Sequence, residues 1–387
     1  MIKDIKLFNF KCFANQLIKM APMTLLTGLN GMGKSSVIQA LLLLRQSYLS
    51  GAFDRGHLET AGDLTDLGTA SEVLFEGAAK DRIGISVTLN PDTGGDFSFD
   101  VTPEHGYATA VDMAAHTANF QKMITNGIQS IIFADHGDED ALMGTFQYLH
   151  AERHGPRKFL PMSHIRSGVV ELGARGEYVL HALALYQDTI QIPPNDPRHL
   201  PAAGERLRDQ LEAWLDMISP GVRLTVEPVP QADLVVGGFS FGETGQLRSR
   251  DYRATNVGFG LSYVLPVLVA LLAARPGGLV IIENPEAHMH PIGQTKLGEL
   301  CARTAAAGVQ VIIETHSDHV LDGARIAVRD GIIAPQDTVF HYFQRRQGRA
   351  EVLTPTIDAE GRLSEWPEGF FDQHRRNTAR LIRPRKV

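Results

Sequence analysis

Residues 28–35 read GLNGMGKS and fit the spacing G-x-x-x-x-G-K-[ST] at every position. Residues of these types at this spacing bind phosphate. Gly28, Gly31 and Gly33 let the backbone fold tightly around an anion. A helix N-terminus behind them offers N–H groups and the positive end of a dipole. Lys34 is expected to reach the β- and γ-phosphates of a nucleotide, and the Ser35 hydroxyl to bind Mg²⁺. The flanks are the ones such a loop needs: MTLLT at 23–27 reads as a strand, and SSVIQALLLLRQ at 35–46 as an apolar-rich helix.

Four further segments carry polar side chains in positions to act. GLVIIEN (278–284) is an apolar strand that ends on Glu283, and Glu286 follows three residues later. An acid there stands at the carboxyl edge of a sheet, where ligands bind. VIIETHSDH (311–319) is a second apolar strand ending in a polar cluster with His316. NVGFGLS (256–262) places Gly258, Gly260 and Ser262 at the start of an apolar helix, another anion-binding arrangement. NFKCF (9–13) precedes the phosphate loop.

Other clusters invite weaker readings. His288 and His290, with Glu286, have the types for a metal site, but two histidines two residues apart are more simply loop residues. His316, Asp318 and His319 resemble part of a hydrolytic triad; acyl-transfer chemistry is not expected. Arg153 and Arg157 read either as contacts to nucleotide or DNA phosphate or as solvated or salt-bridged side chains. The basic end RLIRPRKV reads as a solvated tail or a nucleic-acid contact. Cys12 and Cys301 are the only cysteines, which excludes a disulfide framework and a cysteine metal site.

The elements that position these residues follow from periodicity. The chain has 387 residues, 43% hydrophobic and 21% charged, the balance of a globular protein with a large core. A net charge of −7 supplies no global attraction for nucleic acid. No secretion signal is visible, and the longest apolar run, VLPVLVALLAA at 264–274, is too short to span a bilayer and contains a proline. A cytoplasmic protein without membrane partners is expected. Two strands are expected in 1–27, a helix over 35–49, and a hairpin from 83–90 and 96–101 around PDTGG. Residues 108–150 read as mostly helical with a break at HGDED, and 176–218 as helical around the loop 192–201. Strands are expected in 223–241. Beyond 255 come a helix (262–274), a strand, a helix (291–306) and a second strand (309–316), the pattern of a parallel sheet covered on both faces.

In this order NFKCF, phosphate loop, long insertion, glycine–serine turn, strand ending in Glu283, and the His316 segment resemble the ABC-type ATPase heads of the RecF, SMC and OLD group. The resemblance covers residues 1–80 and about 250–345. Segments 322–335 and 361–373, with YLHAERHGPR at 148–157, are similar to a C-terminal module of unknown function on uncharacterised members. The resemblance implies an α/β fold: a P-loop ABC-type ATPase head with a mixed sheet, a β-rich arm and a helical insertion. It divides the chain into an N-terminal lobe (1–90), arm and insertion (91–250), a second lobe (251–345) and the C-terminal module (346–387).

It also implies roles. Gly28, Asn30, Gly31, Gly33, Lys34, Ser35 and Ser36 would bind ATP and Mg²⁺. Gly258, Gly260 and Ser262 would be the signature that touches ATP on another subunit. Glu283 would stand at the Walker B position near Mg²⁺, His316 would be the switch histidine, and Ala287, His288 and Met289 would form the D-loop. The usual Asp-Glu end of Walker B is Glu283-Asn284 here. An amide orients water but does not take its proton, so Glu286 substitutes or hydrolysis is slow. No glutamine is assignable to the Q-loop, and Asp66 is the candidate for that region. Relatives act in DNA repair, chromosome maintenance and antiphage defence. The resemblance thus implies a homodimer around shared ATP, a separate nuclease or toxin-like effector, and DNA as a further ligand. A nucleotide-switched scaffold with little hydrolysis is the alternative.

Overall fold

The computed structural model describes residues 1–90, 93–102, 106–123, 146–164, 170–242, 248–367, 369, 371 and 373–382. The first 28 residues form three strands rather than the expected two: β1 (Asp4–Phe10), β2 (Phe13–Lys19) and β3 (Met23–Gly28). The reason is local. Asn9 and Lys11 take positive φ (47° and 52°), so NFKCF doubles back and pairs Phe10 with Phe13. Then come α1 (Lys34–Leu49), α2 (Ala70–Val73), β4 (Arg82–Asn90), β5 (Thr93–Thr102), β6 (Tyr107–Ala110) and α3 (Met113–Met123).

Among the described residues of 108–150, the helical expectation holds for α3 alone. Residues 146–149, FQYL, are a strand, β7 (Phe146–Leu149). HGDED lies outside the described residues. Next are β8 (Leu160–Pro161), α4 (Val179–Tyr186), α5 (Leu207–Ile218), β9 (Val222–Val229), β10 (Leu234–Phe241) and β11 (Tyr252–Arg253). The last third contains α6 (Phe259–Ala273), β12 (Leu279–Glu283), α7 (Pro291–Ala306), β13 (Gln310–Glu314), α8 (Asp318–Arg329), β14 (Thr338–Arg346), β15 (Arg349–Leu353) and α9 (Gln373–Leu381).

A six-stranded sheet in the order β15-β14-β3-β13-β12-β7 organises the molecule. Its pairs are parallel except β14–β15. Alternate side chains leave opposite faces of a strand, so strands covered on both sides read as continuous apolar runs. Leu25, Val280, Ile282, Val311 and Ile313 enter a core with α4 to α8. Leu26, Ile281, Ile312 and Phe343 enter a second core with α1 and the antiparallel sheet β2-β1-β4-β5-β6. A third, small sheet around β10 pairs it with β8, β9 and β11. The expected divisions at 90/91 and 345/346 fall within the hairpins β4–β5 and β14–β15.

Candidate functional site

β3 delivers the phosphate loop to the carboxyl edge of the main sheet, and α1 carries it away. Gly28, Gly31 and Gly33 all have positive φ (131°, 71° and 104°). At Gly28 this is obligatory twice over, because a Cβ there would also run into the backbone of Phe343 on β14. α1 starts at Lys34 with no side-chain cap and no acid in its first turn. Its first-turn N–H groups therefore have no side-chain acceptor at the cap and no acidic neighbour.

The Lys34 side chain is buried and its Nζ donates to the carbonyls of Gly28 (3.1 Å) and Leu29 (3.0 Å). Ser35 Oγ donates to Glu314 Oε2 at 2.8 Å, and the other oxygen of Glu314 lies 3.7 Å from Lys34 Nζ. Glu314 was not singled out in the sequence. The signal was present: LVIIE and QVIIE are two near-identical apolar runs, each closed by a glutamate. Burial pulls the Lys34 ammonium below the usual lysine range, with Glu314 opposing; burial pushes the Glu314 carboxyl up, with Ser35 and Lys34 opposing. Asn30, Gly31, Gly33, Lys34, Ser35 and Ser36 all line one cleft of about 910 Å³ with Glu314. Ser36 is buried, its Oγ 4.0 Å from Cys12 Sγ.

Glu283 ends the next strand, in register with Glu314. Its carboxylate turns outward to β7: Tyr148 Oη donates at 3.1 Å, the Ala151 N–H at 3.4 Å, and His150 Nε2 lies 3.9 Å away. The acid beside Ser35 is therefore Glu314, not Glu283. Asn284 has φ 45°, and its carbonyl accepts from Arg153 Nη2 at 2.7 Å while Arg153 Nη1 donates to the Glu283 carbonyl at 2.6 Å. Arg153 thus straps the end of the strand. Burial brings its guanidinium down to about 10 against the pull of Glu286.

Glu286 Oε1 accepts from the His316 N–H at 2.8 Å, and Oε2 is buried without a partner among the described residues. Burial raises its carboxyl above the usual range. The His316 ring is exposed; burial of part of its surface and the charge of Lys34 hold it below the usual histidine value. Asp318 and His319 lie 3.7 Å apart at the start of α8.

The glycine–serine turn is split. Gly258 is exposed and open at the head of α6. Gly260 presses on the 287–289 loop: a Cβ would sit 2.6 Å from the His288 carbonyl oxygen. Ser262 Oγ is buried without a partner among the described residues and lines a small apolar cavity with Leu180, Leu224 and Phe239. His288 packs on Phe259 and Tyr263, and His290 caps α7, so the HMH residues have structural partners. No group of three metal-ligating side chains occurs among the described residues. Asp66 is exposed and accepts from Gly68 N inside its own turn. GFSFG at 238–242 has the G-x-S-x-G spacing, but Ser240 is buried within β10, not on a strand-to-helix turn.

Residues 1–132 match a family described as "AAA ATPase domain", and residues 149–322 one described as "AAA domain, putative AbiEii toxin, Type IV TA system". Residues 333–381 match the "Protein of unknown function (DUF3696)" family. A crystal structure of an SMC head bound to the C-winged helix domain of ScpA aligns with TM-score 0.51 at 14% identity, over 92% of this chain and 98% of that one.

The chain has the fold of an SMC-type ATPase head.

An SMC head domain from Thermotoga maritima aligns over 92% of this head and 99% of its own length at 12% identity and TM-score 0.43. An SMC head with an extended coiled coil bound to the C-terminal domain of ScpA, derived from Pyrococcus furiosus, gives 11%, 0.45 and 99% of each chain. No curated protein sequence matches this ATPase head. None of its described helices is long and apolar enough to cross a membrane.

Proposed function

We propose that this head binds ATP in the cleft over Gly28–Ser36, pairs head to tail with a second copy around two shared nucleotides, and reopens on hydrolysis. The contact of Ser35 and Lys34 with Glu314 carries the reading. Ser35 Oγ and the Glu314 carboxylate are hard oxygen donors 2.8 Å apart and fit Mg²⁺. Bound between them, the ion would neutralise phosphate charge. Lys34 would exchange the carbonyls of Gly28 and Leu29 for the β- and γ-phosphates.

Water attacks the γ-phosphorus; the bond to the β,γ-bridging oxygen breaks and ADP leaves. Glu283, one strand out and steadied by Tyr148 and Ala151, takes the proton of the water. His316, in the field of Lys34, faces the γ-phosphate. Glu286 holds the 286–289 loop to His316 rather than serving as base, and Gly258 at the head of α6 meets the nucleotide of the partner copy. The AbiEii-type family match supports a setting in antiphage defence, with DNA repair as the wider alternative, and a separate effector protein that reads the paired state. Asn284 favours a second reading, a nucleotide-switched scaffold that hydrolyses slowly, because its amide stands where a proton-accepting carboxylate is usual.

Phosphate release measured against Mg²⁺ concentration tests these roles. Glu314→Gln should raise the Mg²⁺ needed for half-maximal turnover about tenfold or more. Glu283→Gln should cut turnover about 10²–10⁴-fold with the Mg²⁺ requirement unchanged. An unmoved Mg²⁺ requirement in Glu314→Gln removes Glu314 from this role. Tight ATP binding without turnover in the native chain, with or without DNA, selects the scaffold.

A further inference from the structure

β14 runs beside β3 with Tyr342 opposite Thr27 and Phe343 opposite Gly28. β3 stops there as the phosphate loop turns off, while β14 continues to Arg346 and returns as β15. The hairpin tip therefore stands beside the loop with no strand of its own to cover. Alternation puts Arg345 on the same face as Phe343, the face occupied by α1 and Phe13. Arg345 and Arg349 line the same cleft as Asn30, Lys34 and Ser35.

The charges on this hairpin are not equivalent. Arg346 has a carboxylate, Glu351, at 3.5 Å. Arg345 and Arg349 are exposed, and neither guanidinium has an ion pair or hydrogen bond among the described residues. The charge of Arg345 is felt at Cys12, whose Sγ is 4.0 Å from Ser36 Oγ in the first turn of α1. Two unanswered guanidinium groups thus flank a loop built for phosphate, in a chain whose net charge of −7 gives anions no general attraction.

We propose that Arg345 and Arg349 are nucleotide-binding residues: a second cationic wall of the cleft, which makes the C-terminal segment of unknown function part of the nucleotide site. The ligand is a nucleoside triphosphate held by the phosphate loop and the hairpin together. Guanidinium groups suit the outer phosphates through paired N–H donors. Because the hairpin leads directly into residues 354–381, a bound nucleotide also fixes the start of that segment. The inference rests on the ATP reading of the loop.

ATP affinity of the full chain, measured by calorimetry, tests it. Arg345→Ala with Arg349→Ala should weaken binding about tenfold or more per arginine. The doubly Lys-substituted chain should fall between, and Arg346→Ala should bind as the native chain does. If the double alanine variant keeps native affinity while Lys34→Ala loses binding, the wall is overturned and the loop reading stands. Loss of duplex-DNA binding alone in the double variant also overturns it. If the native chain binds no ATP, both readings fall.

Discussion

Glu283 and Glu314 end adjacent strands in register, yet their carboxylates turn to different neighbours. Glu314 faces Ser35 and Lys34; Glu283 faces Tyr148 and His150. This division offers two acids for two tasks, so the amide at Asn284 need not be a defect. Asn284 also has a backbone reason to be Asn. Its φ of 45° is a conformation that Asn tolerates better than Glu, and its carbonyl is tied to Arg153. Asn284→Glu should therefore lower stability by about 1 kcal/mol and leave turnover within a few-fold of native. Denaturant midpoints and steady-state phosphate release read the two effects. A tenfold gain in turnover would show instead that a missing carboxylate at this position limits the reaction.

The elements explain what the sequence could and could not reveal. The phosphate loop was legible because its chemistry is local: β3, GLNGMGKS and α1 are contiguous. Glu314 was not, because its role depends on β13 lying between β3 and β12, a non-local order. Tyr148 and Arg153 were obscured for a related reason: β7 is only four residues long, and they acquire partners only when it joins the edge beside β12. Ser262 reads as a surface signature residue, but the turn of α6 takes its hydroxyl inward. Strand β14 carries a pH-sensitive joint. His341 is buried, with Nε2 2.7 Å from the Lys19 carbonyl and Nδ1 2.9 Å from Thr354 Oγ1. Burial lowers its pKa to about 4. The unfolded chain takes up that proton near pH 6.5 while the folded ring resists until about pH 4. Stability should thus fall as pH drops through this window, by up to about 3 kcal/mol. His341→Gln should flatten the pH dependence of the unfolding free energy between about pH 7.5 and 4.5, so that the native-minus-variant difference falls as pH drops; a variant with the native slope would locate the acid sensitivity elsewhere.

As a whole, the molecule is a sheet with a core on each face and its polar chemistry gathered at one edge. The strands ending in Gly28, Glu283 and Glu314 all open there, beside the heads of α1 and α6. Near that edge Leu29, Phe259 and Ile292 remain exposed, 62%, 57% and 64% respectively. Exposed apolar side chains around a polar cleft are the features of a surface that another protein covers. In the proposed cycle, nucleotide in this cleft recruits a second copy across it. The molecular mass in solution, with and without a non-hydrolysable ATP analogue and Mg²⁺, measures this directly. The native chain should double in mass on adding the analogue. Lys34→Ala should not, because it removes the charge that fixes the phosphates. Gly258→Arg should bind the analogue yet stay single, because Gly258 is open to solvent and its arginine would obstruct the partner rather than the fold. A native chain whose mass ignores nucleotide, or a Lys34→Ala chain that still doubles, would rule out nucleotide-driven pairing.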